Sequence, residues 1–192
     1  MNHRRNLLRL GAAGLGAAVL PAWAQNRQTT LITGYAPGGG ADIMARLIAS
    51  RMGPILGETV LVDNKPGTAG QIGAAYVAHS TPNGSTAFVD AASFAINLAL
   101  YPKLPYTQRS FETVGVIATL PLVVLVHPSF PAKNISELIA VARAKPGEVF
   151  YASSGNGSLM HLATSLFART TGVKMTHVPY KGGGQAMTDV LG

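Results

Sequence analysis

Apolar and polar positions along the chain alternate between short β-branched runs and longer stretches with helical spacing. The run Thr30-Leu-Ile-Thr33 leads through glycines into apolar positions three or four residues apart, which are typical of an amphipathic helix ending near Gly57. The same reasoning predicts strands at 59–62, 86–89, 149–151 and 175–178, and helices at 72–79, 94–100, 134–144 and 159–170. Two further apolar runs occupy 114–118 and 122–126. This alternation predicts an α/β fold with a largely parallel sheet.

Three of the predicted strands run into glycine-rich loops, and a helix follows each loop. We call residues 35–42 (YAPGGGAD) the first glycine loop, residues 153–158 (SSGNGS) the second and residues 179–184 (PYKGGG) the third. Glycines let main-chain N–H groups approach a ligand, and a helix start adds unpaired donors and the positive end of its dipole. One such loop is equally well explained as a turn without a ligand. Three at strand ends predict an anion-binding cleft between two lobes.

Other chemistries find little support. The first glycine loop lacks the Lys and Ser or Thr of a nucleotide triphosphate loop, and Ile43 stands where a dinucleotide fingerprint needs its third glycine. The five histidines show no metal-ligand spacing, and the chain has no cysteine and no nucleophile-elbow motif. We therefore expect neither catalysis nor a metal or other cofactor.

The N-terminus has the pattern of an export signal. Arg4 and Arg5 precede an apolar segment, and Ala22-Trp23-Ala24 is a cleavage site of the A-x-A type. The pattern fits a twin-arginine signal and an ordinary secretory signal about equally. Residues 1–24 are thus predicted to be removed, which places the mature protein free in the periplasm. Loss of three arginines lowers the net charge from +7 to +4, and no basic stripe predicts nucleic-acid binding.

Several sequence blocks, in this order and at this spacing, resemble the solute-binding receptors of tripartite tricarboxylate transporters, also called the Bug family. The resemblance covers nearly the whole mature chain. Its blocks are YAPGGGADIMAR (35–46), VDNKPGTAGQIG (62–73), LYPKLPY (100–106), SSGNGS (153–158) and HVPYKGG (177–183).

The resemblance implies a two-lobed periplasmic binding protein-like fold of type II, closing on a small carboxylate that is passed to membrane transporter subunits. It implies that main-chain N–H groups and water hold the carboxylate. Carried over by position, the ligand-binding residues are Pro37, Gly38, Gly39, Gly40, Ala41 and Asp42 on one lobe, Ser93, and Ser154, Gly155, Gly157, Ser158, His161, Tyr180, Lys181 and Gly182 on the other. Ala41 stands where relatives often carry a hydroxyl, and Ser93 lies in a loosely matching loop. Asp42 would repel a carboxylate if it faced inward. Its alternative role is to stabilise the first turn of the helix.

The lobes are expected at 25–123 and 124–192, with the second lobe incomplete because its pattern stops before its sheet is closed. We accordingly expect residues 25–192 to bind ligand weakly and to be monomeric. Two alternatives to a transport receptor stay open at this point. One is an exported α/β enzyme, and the other is a ligand-presenting regulator of a sensor kinase.

Overall fold

The computed structural model describes residues 28–192, so the predicted signal segment lies outside the described residues. The order of elements confirms the α/β alternation. The strands are β1 (Gln28–Thr33), β2 (Thr59–Asn64), β3 (Thr86–Val89), β4 (Phe150–Ser153) and β5 (Thr176–Pro179). The helices are α1 (Gly40–Leu56), α2 (Gln71–Ala78), α3 (Ser93–Leu100), α4 (Ile135–Ala144), α5 (Leu159–Thr171) and α6 (Gly183–Leu191). Short 3₁₀ turns lie at Thr68–Gly70 and Gln108–Ser110.

The strands form two separate parallel sheets. The first has the order β2-β1-β3, and its buried centre is β1, where Ile32 and Thr33 are fully enclosed. The second consists of β4 and β5. Each sheet has its own apolar cluster, one around Leu31 and Ala45 and one around Leu138. Parallel pairing directs the carboxyl ends of the strands in each sheet to one edge, where the glycine loops begin.

Local chemistry fixes the helix ends that the sequence predicts. Gly57 ends α1 with φ of 65°, a left-handed conformation that favours glycine. The side chain of Asn134 accepts a hydrogen bond from the Glu137 N–H and begins α4, as the capping pattern predicts. Ser158 begins α5 in the same way by accepting from the His161 N–H.

The apolar runs at 114–118 and 122–126 belong to neither sheet. Residues 111–127 have no regular secondary structure, and Val114 is 98% exposed. A β-branched sequence favours a strand only where a partner edge is available, and among residues 28–192 none pairs with this segment.

A buried polar cluster lies around Asp90, which follows β3 and precedes α3. Burial raises the pKa of Asp90 to about 6, against the opposing effect of the Ala91 and Phe94 N–H groups and the Tyr35 hydroxyl. Both carboxylate oxygens of Asp90 and the hydroxyls of Tyr35 and Tyr106 are enclosed, and within residues 28–192 they have no partner in good hydrogen-bonding geometry. An ionised Asp90 is therefore costly to the folded state.

Replacing Asp90 with Asn should make the protein more stable at neutral pH. Because the folded-state pKa is raised to about 6, the folded protein holds this proton longer than the unfolded chain does, and stability falls as the pH rises from about 4 to above 6. The shift corresponds to about 3 kcal/mol at neutral pH. Urea unfolding across this range should show the decline for the wild type and a flatter profile for Asp90→Asn. Parallel profiles would contradict the assignment.

In the second sheet, an aromatic stack connects the two strands to α5. Tyr151 and His177 are register partners with ring centroids 4.9 Å apart, and His161 stacks on His177 at 4.1 Å. The Nε2 of His177 is 2.6 Å from the Oγ of Ser153. Burial and the neighbouring His161 lower the pKa of His177, because a second positive charge in the stack would be repelled.

Acidification should therefore weaken the second sheet. A histidine with a lowered folded-state pKa stabilises the protein fully above its ordinary pKa of about 6.5, and this stability is lost as the pH falls below that value. The contribution of Asp90 is common to the wild type and the histidine variants, so the difference between them reports on His177. We expect the thermal midpoint of His177→Gln to rise relative to that of the wild type as the pH falls from about 7 to 5. His127→Gln, at an exposed position, is the matched control and should follow the wild type. The same pH profile in all three proteins would overturn the prediction.

Candidate functional site

The first glycine loop is organised around the carboxylate of Asp42. This carboxylate accepts hydrogen bonds from the Gly38 N–H at 3.0 Å, from Arg46 at 3.0 Å and from the Asn64 side chain at 2.8 Å. Asn64 also donates to the Tyr35 carbonyl at 3.0 Å, so the end of β2 is tied to the start of the loop. Asp42 is 3% exposed. The contacts show Asp42 stabilising the loop from within.

The charge state of Asp42 suits this role. Burial alone would raise its pKa, but the hydrogen bonds from Arg46, Gly38 and Asn64 and the charge of Arg46 outweigh burial and hold the pKa below its usual value. The carboxylate is therefore ionised at neutral pH. It engages the Gly38 N–H, which is one of the donors predicted for a ligand.

Further donors of the first glycine loop lie at the start of α1. The N–H groups of Gly40, Ala41 and Asp42 have no carbonyl one turn earlier in the helix, as at every helix start. Gly40 is exposed and Ala41 half-buried, whereas Gly39 is buried against the third glycine loop. The positive end of the α1 dipole points at the same place.

The second glycine loop is also held by its own side chains. The Gly155 N–H donates to the Ser153 Oγ at 3.1 Å, and the Gly157 N–H donates to the Nδ1 of His161 at 3.1 Å. Ser158 is fully buried as the cap of α5. The main-chain N–H groups of several predicted residues are thus bonded within the protein, namely those of Gly38, Gly155, Gly157, Ser158, His161 and Tyr180.

The third glycine loop touches the first across the gap between the sheets. The Ala36 N–H donates to the Lys181 carbonyl at 3.0 Å. A Cβ on Gly182 would come within 3.0 Å of the Ala36 nitrogen, and one on Gly184 within 3.0 Å of the Gly38 carbonyl carbon. Such close backbone approach requires glycine at these two positions. The first and third loops therefore form one continuous surface.

A fourth segment, residues 67–70, belongs to the same site and was not among the predicted site residues. Gly67, Thr68, Ala69 and Gly70 all have positive φ, and at Thr68 and Ala69 this costs about 1 to 3 kcal/mol each. The buried Asn97 holds the segment by donating to the Ala69 carbonyl at 3.0 Å. The sequence signal for this segment was the block at 62–73, which contributes to the family resemblance but from which no ligand-binding residue was carried over.

These segments surround a cavity of about 300 Å³ between the two sheets. The cavity is lined by Gly67, Thr68, Ala69, Ser154, Gly155, Asn156, Pro179, Tyr180 and Lys181. Lys181 is the charged residue of this lining, and no carboxylate lines the cavity. The Tyr180 hydroxyl donates to the carboxylate of Asp189 in α6 at 2.6 Å, and Asp189 does not line the cavity. The lining therefore favours an anion.

The predicted site residues fall into groups. Ser154, Gly155, Tyr180 and Lys181 line the cavity directly. The first glycine loop (Pro37, Gly38, Gly39, Gly40, Ala41 and Asp42) and Gly182 do not line the cavity, and Pro37, Gly38, Gly39 and Gly182 lie in the contact between the first and third loops. Gly157, Ser158 and His161 support the second loop from behind. Ser93 is 1% exposed, near the Tyr35 hydroxyl in the buried cluster, and does not line the cavity. Binding by these residues stays a prediction.

A larger depression of about 670 Å³ lies elsewhere, between the end of α2 and the start of β3. All of its lining residues lie between positions 75 and 86, beside the first sheet, and none of them is a predicted site residue. We place the candidate site in the smaller cavity because loops that follow strands of both sheets line it.

Within residues 28–192, no set of three or more His, Cys, Asp or Glu side chains is arranged to hold a metal ion. No helix in the same part of the chain is long and apolar enough to cross a membrane.

Comparison with known proteins identifies relatives along nearly the whole chain. Protein BugT of Bordetella pertussis is 36% identical over 199 residues, which include 100% of this chain and 61% of BugT. Among solved structures, MatC of Rhodopseudomonas palustris with bound malate superposes with a TM-score of 0.79 at 31% identity, over 85% of this chain and 56% of MatC. Rpa4515 of R. palustris with adipate superposes with a TM-score of 0.72 at 35% identity, over 88% of this chain and 56% of Rpa4515.

The chain spans little more than half the length of these relatives. The superpositions confirm the periplasmic binding protein fold over that half. The family described as "Tripartite tricarboxylate transporter family receptor" matches residues 44–192. It is a family of binding proteins, which agrees with the expectation that the chain is not an enzyme. The chain belongs to the tripartite tricarboxylate transporter receptor family, as its sequence blocks predict.

Proposed function

We propose that the protein is a periplasmic receptor that captures a small organic carboxylate in the 300 Å³ cavity and delivers it to a transporter of the tripartite tricarboxylate type. The observation that carries this proposal is the meeting of loops from both sheets, residues 67–69 from the first and the second and third glycine loops from the second, around a lining that contains Lys181 and no carboxylate. Main-chain donors and one ammonium group recognise negative charge without fixing the rest of the ligand.

The ligand class that fits best is a short dicarboxylate. The cavity is at the lower end of the range for small-molecule sites, so it suits a compact acid. Its lining comes from both sheets, with residues 67–69 on one side and the second and third glycine loops on the other. MatC holds malate and Rpa4515 holds adipate, which are dicarboxylates of different length. These relatives support a dicarboxylate as the ligand of this protein, and the experiment below tests which length of dicarboxylate it binds.

The remaining parts of the proposal rest on sequence and family. The N-terminal pattern supports export, and the family supports the transporter as the receiving partner. We propose the lobes at 25–123 and 124–192, a division supported by the two separate sheets and their separate apolar clusters.

Dicarboxylates should stabilise the purified chain weakly and specifically. We expect dissociation constants on the order of millimolar, so that ligand at several times this value adds about 1 kcal/mol and raises the thermal midpoint by roughly 2 to 4 °C. Malate and adipate are the probes, and their diamides, which keep the shape without the charge, are the controls. Recovery of unchanged acid excludes turnover. Equal shifts with acids and diamides would contradict carboxylate recognition.

Removing the charge at Lys181 should weaken binding of both acids by about fivefold, because an exposed ion pair contributes up to about 1 kcal/mol. Lys181→Met keeps most of the side-chain volume. Lys174→Met removes an equivalent charge from an exposed position before β5 and should bind like the wild type. Isothermal titration calorimetry measures the difference. Equal affinities in the two variants would show that Lys181 does not face the ligand.

Adding one methyl group at Gly182 should separate the first and third loops. The backbone there is extended, so Ala is tolerated locally, but its Cβ would come within 3.0 Å of the Ala36 nitrogen. We expect Gly182→Ala to reduce the stabilisation by malate severalfold while the unliganded protein stays folded. Gly115→Ala, at an open position, is the control. Unchanged binding by Gly182→Ala would mean that the contact between the loops is not needed.

A further inference from the structure

The second glycine loop contains the step Asn156-Gly157, in which a side chain and the main chain can react with each other. The main-chain nitrogen that follows an asparagine can attack the side-chain amide carbon, because the two groups are held close and the product is a five-membered ring. Glycine after the asparagine leaves that nitrogen unhindered, and asparagine is among the thermolabile residues. The same step occurs at Asn83-Gly84, so the chain carries its own comparison.

The reacting groups at Asn156 are unrestrained at the side chain and assisted at the main chain. Asn156 is exposed, and its side-chain amide makes no hydrogen bond to another group among residues 28–192, since the Tyr101 hydroxyl bonds to its main-chain carbonyl. The Gly157 N–H, which carries the attacking nitrogen, donates to the Nδ1 of His161 at 3.1 Å. This Nδ1 carries no proton while it accepts the bond, so it can take the proton of the N–H that it holds.

The surroundings of Asn83 differ in both respects. Its side-chain oxygen accepts hydrogen bonds from the Ser85 N–H at 3.0 Å and from the Ser85 hydroxyl at 2.7 Å, so this side chain is held in place. Within residues 28–192, the Gly84 N–H has no hydrogen-bond acceptor. The two Asn-Gly steps thus share their covalent chemistry and differ in the presence of a base.

We propose that Asn156 deamidates spontaneously, with His161 as the general base. As the Gly157 nitrogen bonds to the Asn156 Cγ, its proton passes to the Nδ1 of His161. The Cγ–Nδ2 bond then breaks, and the departing nitrogen takes that proton and leaves as ammonia. Water opens the resulting succinimide at either carbonyl, which gives aspartate or isoaspartate at position 156. The net reaction consumes one water and releases one ammonia, without an oxidant or a reductant.

The product places a negative charge in the ligand cavity. Asn156 is one of the lining residues, and none of these lining residues is a carboxylate before the reaction. An aspartate or isoaspartate at this position repels an acidic ligand and offsets the charge of Lys181. This consequence rests on the proposed function, whereas the modification itself does not. The second glycine loop therefore carries a slow and irreversible route to the loss of anion binding.

Mass spectrometry of the complete chain tests the modification. The protein is incubated at about pH 8, where histidine is neutral, and digested. The mass gain of about one dalton and the separation of aspartate from isoaspartate peptides report conversion at positions 156 and 83. We expect Asn156 to convert, and we expect His161→Phe, which keeps a ring stacked on His177, to slow this conversion about tenfold or more.

The direction of the change separates a base from a structural support. Removal of a mere support loosens the loop and speeds the reaction, whereas removal of the base slows it. Conversion of Asn83 is the internal reference and should be the same in the wild type and in His161→Phe. An unchanged or faster rate at Asn156 in the variant overturns the proposal, as does an Asn156 that keeps its amide while Asn83 converts.

Unfolding the wild type in urea provides a second readout that needs no variant. The contact between Gly157 and His161 is lost in the unfolded chain, so conversion of Asn156 should slow. Conversion of Asn83 should not slow, because unfolding releases its side chain from Ser85. A rate at Asn156 that is equal or higher in urea overturns the role of His161.

The effect on binding is tested with the product residue already in place. Asn156→Asp should lose most of its stabilisation by malate, while Asn83→Asp, which adds the same charge outside the cavity, should keep it. Equal stabilisation of the two variants overturns the effect on binding. If malate stabilises neither these variants nor the wild type, the proposed function fails, and the mass measurements, which need no ligand, still decide the modification.

Discussion

The geometry of the site depends on a negative charge that the protein supplies to its own first glycine loop. Asp42 gathers the Gly38 N–H, the Arg46 guanidinium and the Asn64 amide around one buried carboxylate. Without that carboxylate the loop would lose the bonds that join the end of β2, the start of α1 and the chain between them. Loop and helix start are consequently rigid before any ligand arrives, which reduces the ordering cost of binding.

The rest of the cleft follows the same principle of main-chain groups fixed by side chains behind them. Ser153 and His161 hold the second loop, and Asn97 holds the strained segment at Ala69. None of these residues needs to touch a ligand in order to matter for binding. A site of this kind is defined by the direction of its N–H groups, and the residues that set the direction are as important as those that line the cavity.

Sequence reasoning located the elements well, because strand, glycine loop and helix starts are local signals. The bounds of β3 and the caps at Gly57 and Asn134 follow directly from composition and spacing. It could not show that the Gly38 and Gly157 N–H groups are bonded internally, since those bonds depend on side-chain directions in three dimensions. It also left out Thr68 and Ala69, because nothing in their identity predicts a left-handed backbone. Sequence reasoning also could not predict the burial of Ser93, because that burial depends on how α3 packs.

The hydrogen bond from the Ala36 N–H to the Lys181 carbonyl joins a loop of the first sheet to a loop of the second. Lys181 is also the charged residue of the cavity lining. If an acid binds Lys181 as proposed above, it would also restrain the peptide that carries this hydrogen bond. Recognition of charge and contact between the two sheets would then be coupled through a single amino acid, and a neutral solute of the same shape would lack that coupling.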